Sequence, residues 1–208
     1  VSPVVEACPS DNKEKAMSML HSFYCWGHVG VVLLSTVFFF VFGIENWKIM
    51  AVLWALIPLA NAFIFAKVPV PSLIEEGEQG LSLKELFGMK MFWILLIMMV
   101  CAGASEQAVS QWASTFAEKG LRISKVAGDL AGPMAFAILM GTSRAFYGKF
   151  GDKINLERFM QYSAILCMIS YLMIAFIPVP ALGILGCAVC GLSVGIMWPG
   201  TFSMAAAS

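Results

Sequence analysis

The stretch MFWILLIMMVCAGASEQAVSQWASTFA, residues 91–117, decides the fold class of this protein. It is long enough to cross a bilayer, because about 20 apolar residues suffice for a helical span. It also carries one carboxylate, Glu106. An ionisable side chain within a span is costly unless it faces a bundle interior or a water-filled path. Glu106 is therefore a candidate functional residue of a helical membrane protein.

Polar side chains accompany Glu106 in two columns, each with a spacing of four residues. The columns are Glu106, Ser110 and Ser114, and Gln107, Gln111 and Thr115. Residues four apart lie on the same face of a helix, so the two columns should be adjacent. Gln107 and Gln111 could donate hydrogen bonds to a polar solute, and Trp112 could offer it an apolar face.

The composition extends the membrane interpretation to the whole chain. Of the 208 residues, 60% are hydrophobic and 12% are charged, and the mean hydropathy is +0.83. Ordinary soluble domains carry about 25% charged residues. The net charge is zero, so no basic surface points to a nucleic-acid partner.

The cysteines do not indicate a disulfide framework or a metal site. Nearly all of the six lie inside apolar segments, whereas secreted disulfide scaffolds place them in polar, loop-rich sequence. Cys187 and Cys190 form a CxxC pair with no His or acid nearby, so we interpret them as small packing residues. Gly183, Cys187, Gly191 and Gly195 recur every four residues, which predicts close approach of a neighbouring helix. The sequence indicates no cofactor.

Six apolar stretches are predicted to cross the membrane, which makes the protein all-α. They are residues 17–43, 47–66, 91–117, 126–147, 159–177 and 181–208. Residues 67–90 contain prolines, glycines and four acids, so they predict a polar linker with a surface helix near 81–87. This linker divides two spans from four.

The distribution of Lys and Arg predicts the orientation, because basic loops tend to remain cytoplasmic. Nine of the 13 basic residues fall on one side and four on the other. The larger set is Lys13, Lys15, Lys67, Lys84, Lys90, Arg144, Lys149, Lys153 and Arg158. The linker and the loop that follows the fourth span are therefore predicted to be cytoplasmic.

The end of the fourth span and the loop after it carry the strongest motif. Arg144, Gly148 and Asp152 are spaced by four, and Lys153 and Asn155 follow them. We expect these residues to bond helix ends across a cytoplasmic seam, with Arg144, Gly148, Asp152 and Lys153 as a gating motif. The simpler alternative is an ordinary basic loop.

Gly148-Lys-Phe-Gly-Asp152-Lys153-Ile-Asn155 resembles the G-x-x-x-D-[RK]-x-G signature of the major facilitator superfamily, in its second-half copy. Asn155 replaces the final Gly, and Leu156 and Glu157 replace the usual basic pair. Because Asn tolerates a left-handed backbone, we expect the turn to survive.

The resemblance implies a twelve-helix transporter built of two bundles. Residues 1–66 would hold the end of a preceding helix, helix four (residues 1–8), with helices five and six. Residues 67–90 would form the cytoplasmic linker between the bundles, and 91–208 would form helices seven to ten. The chain begins at Val1 and stops within a run of small residues, so we expect it to be a piece of a longer protein. Gly103-Ala-Ser-Glu106 with Trp112, and Gly191 to Ser203 around Trp198-Pro199, are similar to the fucose-permease-like sugar branch.

Several further residues are candidates for the solute cavity, each with a structural alternative. His21, Tyr24, Cys25 and His28 share one helix face, and no metal site is completed. Tyr24, Trp26 and His28 are the better cavity candidates. Trp198 could stack on a sugar or pack in an interface, and Pro199 frees the carbonyl four residues before it. Asn61 could bond a solute or a neighbouring helix. We interpret Asp129 as a solvated acid at the membrane surface.

The pattern as a whole predicts a secondary active transporter of a small polar solute, such as a sugar. The resemblance implies alternating access around a midplane site, and Glu106 is expected to take and release a proton. We expect a monomer in the cell membrane with no cofactor. The alternatives are a polytopic membrane enzyme, with Glu106 and His21 or His28 as acid and base, and a non-transporting solute sensor.

Overall fold

The computed structural model of the protein describes residues 4–5, 13–68 and 81–206, with the backbone alone for 13–15, 152 and 206. All described elements are helical. The main helices are α1 (Lys13–Phe42), α2 (Trp47–Phe65), α3 (Leu83–Gly88), α4 (Lys90–Thr115), α5 (Lys125–Asp129), α6 (Ala135–Phe150), α7 (Leu156–Phe176), α8 (Pro180–Val194) and α9 (Met197–Ala206).

Six helical stretches within the described part of the chain are long and apolar enough to cross a membrane. They are Ala16–Phe42, Ile44–Phe65, Lys90–Gly120, Lys125–Phe150, Leu156–Phe176 and Pro180–Ala205. The six predicted spans are thereby confirmed to within a few residues. The fourth span combines α5 and α6 through a π-helical segment, Leu130–Met134, that contains Pro133. The sixth span combines α8 and α9.

The linker helix forms where the sequence predicted it. Ser82 caps the N-terminus of α3, and Ser82 and Glu85 form a reciprocal capping box, which satisfies backbone N–H groups that a helix start leaves free. The predicted linker extends over 67–90, of which 69–80 lie outside the described residues. The predicted end of a preceding helix, residues 1–8, is described for 4–5 alone.

Helix α6 lies at the centre of the packing. It makes extensive contacts with α1 on one side and α8 on the other, and α7 packs against α8. Cys25, Phe136, Met140, Cys187 and Cys190 belong to the buried core among these helices. Cys187 and Cys190 of the CxxC motif thus pack as small residues of the core.

A ladder of small residues brings α8 close to α6. A Cβ added at Gly191 would lie 2.2 Å from the Phe136 backbone oxygen, and one at Gly195 would lie 2.7 Å from the Ser143 Cβ. Such distances leave room for hydrogen alone at both positions. The close helix approach predicted from the four-residue spacing of Gly183, Cys187, Gly191 and Gly195 is confirmed.

Candidate functional site

A buried ion pair connects α6 to α4. Nη2 of Arg144 lies 2.9 Å from Oε2 of Glu106, and the two side chains are 1% and 10% exposed. An isolated charge at such a place is strongly unfavourable, and a partner with good geometry offsets part of that cost. Glu106 therefore faces the interior, as the sequence predicted, and its partner is an arginine.

The remaining donors of Arg144 bind two further parts of the fold. Nε donates to the Gly195 carbonyl at 2.8 Å, and Nη1 donates to the His21 carbonyl at 3.1 Å and lies 3.3 Å from the Cys25 sulfur. The guanidinium also lies 5.8 Å from the centre of the Tyr24 ring. One side chain thus holds α1, α4 and the turn between α8 and α9 together.

The carbonyl of Gly195 is available because of Pro199. Proline has no backbone N–H, so it cannot donate to the carbonyl four residues before it. The chain accordingly leaves α8 at Val194 and starts α9 at Met197. Arg144 supplies the missing donor. The sequence predicted the free carbonyl, and the structure identifies the group that binds it.

The position of Arg144 corrects our interpretation of the cytoplasmic motif. Arg144 lies within α6, before its end at Phe150, and is almost fully buried. Spacing by four places Arg144 and Gly148 on one helix face, but it does not reveal what that face packs against. Without Arg144, eight basic residues remain on the predicted cytoplasmic side and four lie on the other side. The predicted orientation is therefore unchanged.

The rest of the motif lies at the end of α6 and in the turn that leads to α7. Gly148 is buried, Lys153 is exposed and the side chain of Asp152 lies outside the described residues, so its gating role stays a prediction. Asn155 does not adopt the left-handed backbone that we expected. Its φ is −72°, and its side chain caps α7 by accepting from the Arg158 N–H at 2.9 Å. Capping gives Asn a role here that Gly could not fill.

Two serines of α1, which the sequence analysis did not single out, bind the backbone of α6. The Ser18 hydroxyl donates to the Arg144 carbonyl at 2.7 Å, and the Ser22 hydroxyl donates to the Gly141 carbonyl at 3.3 Å. Both serines are buried. Ser18, Ser22 and Cys25 are small residues on one helix face, and such a face allows close helix packing. This pattern in the sequence could have indicated the contact.

Part of the predicted solute site surrounds the ion pair. Tyr24 is 51% exposed beside Arg144, and Gln107, which follows Glu106 in the chain, is also exposed. The Tyr24 and His28 rings are 6.4 Å apart. Gln111 donates to the Gln107 side chain at 3.1 Å. These polar groups form an accessible side of the Glu106–Arg144 pair.

Three predicted residues are not brought into this group. Trp112 is 64% exposed on α4, and Asn61 is exposed on α2. Trp198 packs near Gly103, where an added Cβ would lie 3.6 Å from its ring, and against Phe202 with ring centres 5.8 Å apart. The packing interpretation of Trp198 therefore describes its contacts better than an open stacking face.

A second polar cluster lies near the start of α5. Lys125 Nζ is 2.5 Å from Asp129 Oδ1 and 2.7 Å from the Ser114 hydroxyl, which itself donates to Asp129. Asp129 is thus paired and 17% exposed, whereas we had interpreted it as a solvated acid. A cavity of about 680 Å³ adjoins the cluster, between α5 and the second half of α1, with Thr36 in its lining.

The helices and the buried ion pair define a multi-pass membrane protein with a charged site between its helices. A family model described as the Major Facilitator Superfamily matches residues 4–208. The chain therefore belongs to this superfamily of membrane transporters. No curated protein and no solved structure gives a significant match. The resemblance is confirmed for the superfamily, and the fucose-permease-like branch stays a prediction.

Proposed function

We propose that this transporter moves a small polar solute together with a proton, and that Glu106 is the carboxylate that carries the proton. The observation that supports the proposal is the buried Glu106–Arg144 pair, with 2.9 Å between its charged atoms. Intramembrane ionisable residues are rare and commonly belong to proton or substrate pathways. Here the pair lies where α1, predicted to belong to the first bundle, meets helices of the second.

Protonation of Glu106 would change the contacts between the bundles. A neutral carboxyl group attracts the guanidinium less than a carboxylate does, so Arg144 would become free to exchange partners. Arg144 also donates to the His21 carbonyl of α1. The proton on Glu106 is thereby linked to a contact that must change if the bundles rock against each other.

The two ends of the contact between bundles differ in a way that fits alternating access. Near the start of α1, Ser18 and Ser22 hold α6 through direct hydrogen bonds. Further along α1, a cavity of about 680 Å³ is lined by residues of α1 and α5. With the predicted orientation, these hydrogen bonds and this cavity support a state that is closed toward the cytoplasm and open toward the outside.

The solute would bind on the accessible side of the ion pair. Tyr24, Gln107, Gln111 and His28 offer hydroxyl, amide and imidazole groups there, as recognition of a hydroxyl-rich molecule requires. Together with the similarity to the fucose-permease-like branch, these groups support a sugar or a related metabolite as solute. We place the protein in the cell membrane, acting as a monomer without a cofactor.

The test is solute uptake by purified protein in lipid vesicles with an imposed proton gradient, with internal pH followed by a dye. Glu106→Gln removes the titratable group and keeps the shape. We expect it to abolish uphill accumulation while exchange of solute down its own gradient partly survives. Glu118→Gln is the matched control, because Glu118 is exposed beyond α4.

Two other results would assign Glu106 a different role, and a third would leave it without one. Reduced affinity with intact coupling would make it a hydrogen-bonding group for the solute. Reduced stability with normal kinetics would make it a structural acid. Unchanged accumulation, affinity and stability together would remove Glu106 from the transport mechanism.

A further inference from the structure

The charge of Arg144 restricts which solutes this site can carry. A guanidinium does not lose its proton in proteins, so Arg144 remains positive throughout a transport cycle. Within the described residues, Glu106 is the carboxylate bound to it. Its other neighbours are the His21 and Gly195 carbonyls, the Cys25 thiol and the Tyr24 ring. None of these groups carries a negative charge in its ordinary state at pH 7.

A proton on Glu106 would therefore leave the positive charge of Arg144 uncompensated. Arg144 is 1% exposed, and a buried charge that loses its partner is strongly unfavourable. A neutral solute that hydrogen-bonds to the site would not restore the balance. An anionic solute would, because its negative charge replaces that of the Glu106 carboxylate.

The geometry of the pair leaves room for such an exchange. Glu106 contacts Arg144 through one oxygen, Oε2, on one nitrogen, Nη2. Nε and Nη1 bind the Gly195 and His21 carbonyls, so an anionic group can take the place of Glu106 at Nη2 by a charge-assisted hydrogen bond while those contacts persist. Tyr24 and Gln107, both exposed beside the pair, offer hydrogen bonds to the rest of a hydroxylated molecule.

We infer that the solute is a small hydroxylated carboxylate whose anionic group replaces Glu106 on Arg144 while Glu106 holds the proton. The inference rests on the proposed proton-coupled transport. Each cycle would carry one proton and one monoanion, a net charge of zero. A change in membrane voltage at constant pH should therefore leave uptake unchanged.

The experiment compares three acids with neutral molecules of similar shape, using calorimetric binding to the purified protein between pH 6 and pH 8. The pairs are D-glucuronate with D-glucose, D-galacturonate with D-galactose, and D-gluconate with sorbitol. We expect at least one acid to bind more than about tenfold tighter than its neutral partner, as loss of a charge-assisted hydrogen bond implies. Its affinity should fall as pH rises, by up to about tenfold per unit, because one proton is taken up.

Variants identify the groups responsible. Glu106→Gln should bind the acid with no pH dependence, and at pH 8 more tightly than wild type, since Gln does not compete as an anion for Arg144. Arg144→Lys keeps the positive charge but loses the planar guanidinium, which binds several acceptors at once. This variant should therefore bind the acid at least about tenfold more weakly than wild type. His21→Gln should retain the pH dependence of wild type. His28→Gln should retain it too, whatever its effect on affinity, because His28 lies in the proposed solute site and does not carry the proton.

Two results would overturn the inference. One is that no acid binds more tightly than its neutral partner. The other is that Glu106→Gln weakens binding of the acid, because Glu106 would then be a ligand and not a competitor. Proton-driven uptake of a neutral sugar, abolished by Glu106→Gln, would overturn the inference while leaving the proposed function intact. Carboxylate binding to wild type without pH dependence would overturn both.

Discussion

Replacing Gly191 with Ala tests whether the close approach of α8 to α6 holds the site together. The added Cβ would lie 2.2 Å from the Phe136 carbonyl oxygen and 2.9 Å from its carbonyl carbon. An ordinary contact begins near 3.4 Å, so the helices must separate by about 1.2 Å (3.4 − 2.2). The obstacle is backbone, which cannot rotate away as a side chain can.

The expected cost lies at the upper end of the range for overpacking, about 3 kcal/mol. For a chain of this length, that corresponds to a decrease in unfolding temperature of roughly 6–12 °C. The measurement is thermal unfolding of the detergent-solubilised protein. The fraction that remains folded after heating is measured by size-exclusion chromatography. Because α8 leads into Gly195, whose carbonyl accepts from Arg144 at 2.8 Å, uptake should also fall.

Gly103→Ala is the matched control. Gly103 lies in α4, and its added Cβ would meet the Trp198 ring at 3.6 Å, an ordinary contact. Since Ala favours a helix by about 1 kcal/mol over Gly, this variant should unfold at or above the wild-type temperature. Equal unfolding temperatures for Gly191→Ala and wild type would refute the close-packing argument.

Three further predictions concern orientation, the α1–α6 contact and the linker helix. In a background without native cysteines, Lys84→Cys should react with an impermeant thiol reagent from the cytoplasmic side and Gly120→Cys from the outside; the reverse pattern would invert the topology. Combined Ser18→Ala and Ser22→Ala substitutions remove two interhelical hydrogen bonds, worth together about 1.2 kcal/mol. They should shift the equilibrium roughly eightfold toward the state open to the cytoplasm, measured by accessibility of a cysteine at position 21; unchanged accessibility would contradict this. In the linker, hydrogen bonds from Ser82 lower the pKa of Glu85 below its ordinary value, mainly the bond from the hydroxyl and to a smaller extent the bond from the backbone N–H. The stabilisation of α3 is therefore complete above the ordinary Glu pKa and is lost as pH falls through the lowered value. Glu85→Ala should speed amide exchange in Leu83–Gly88 several-fold at pH 7, and equal exchange rates would show that the capping box does not hold this helix.

The sequence alone determined the class of the protein. A bilayer has a fixed thickness, so any helix that crosses it needs about 20 apolar residues in a row. Such a run can be recognised in the sequence without knowledge of the tertiary structure. For that reason the six spans and the surface helix near Leu83 were predicted correctly. The free carbonyl before Pro199 and the close packing of Gly191 also follow from local chemistry. The interior position of Glu106 follows from the cost of a charge in lipid.

Tertiary structure alone decided which residues share the site. Arg144 is 38 positions from Glu106 and 123 from His21, and no spacing rule connects residues on different helices. Helical periodicity tells which side chains share a face, but the face that a neighbouring helix covers depends on how the helices pack. The sequence therefore suggested a cytoplasmic gating role for Arg144 and a left-handed turn at Asn155, and it did not indicate Ser18 or Ser22. Packing placed a guanidinium next to the buried carboxylate, and that contact defines the candidate site.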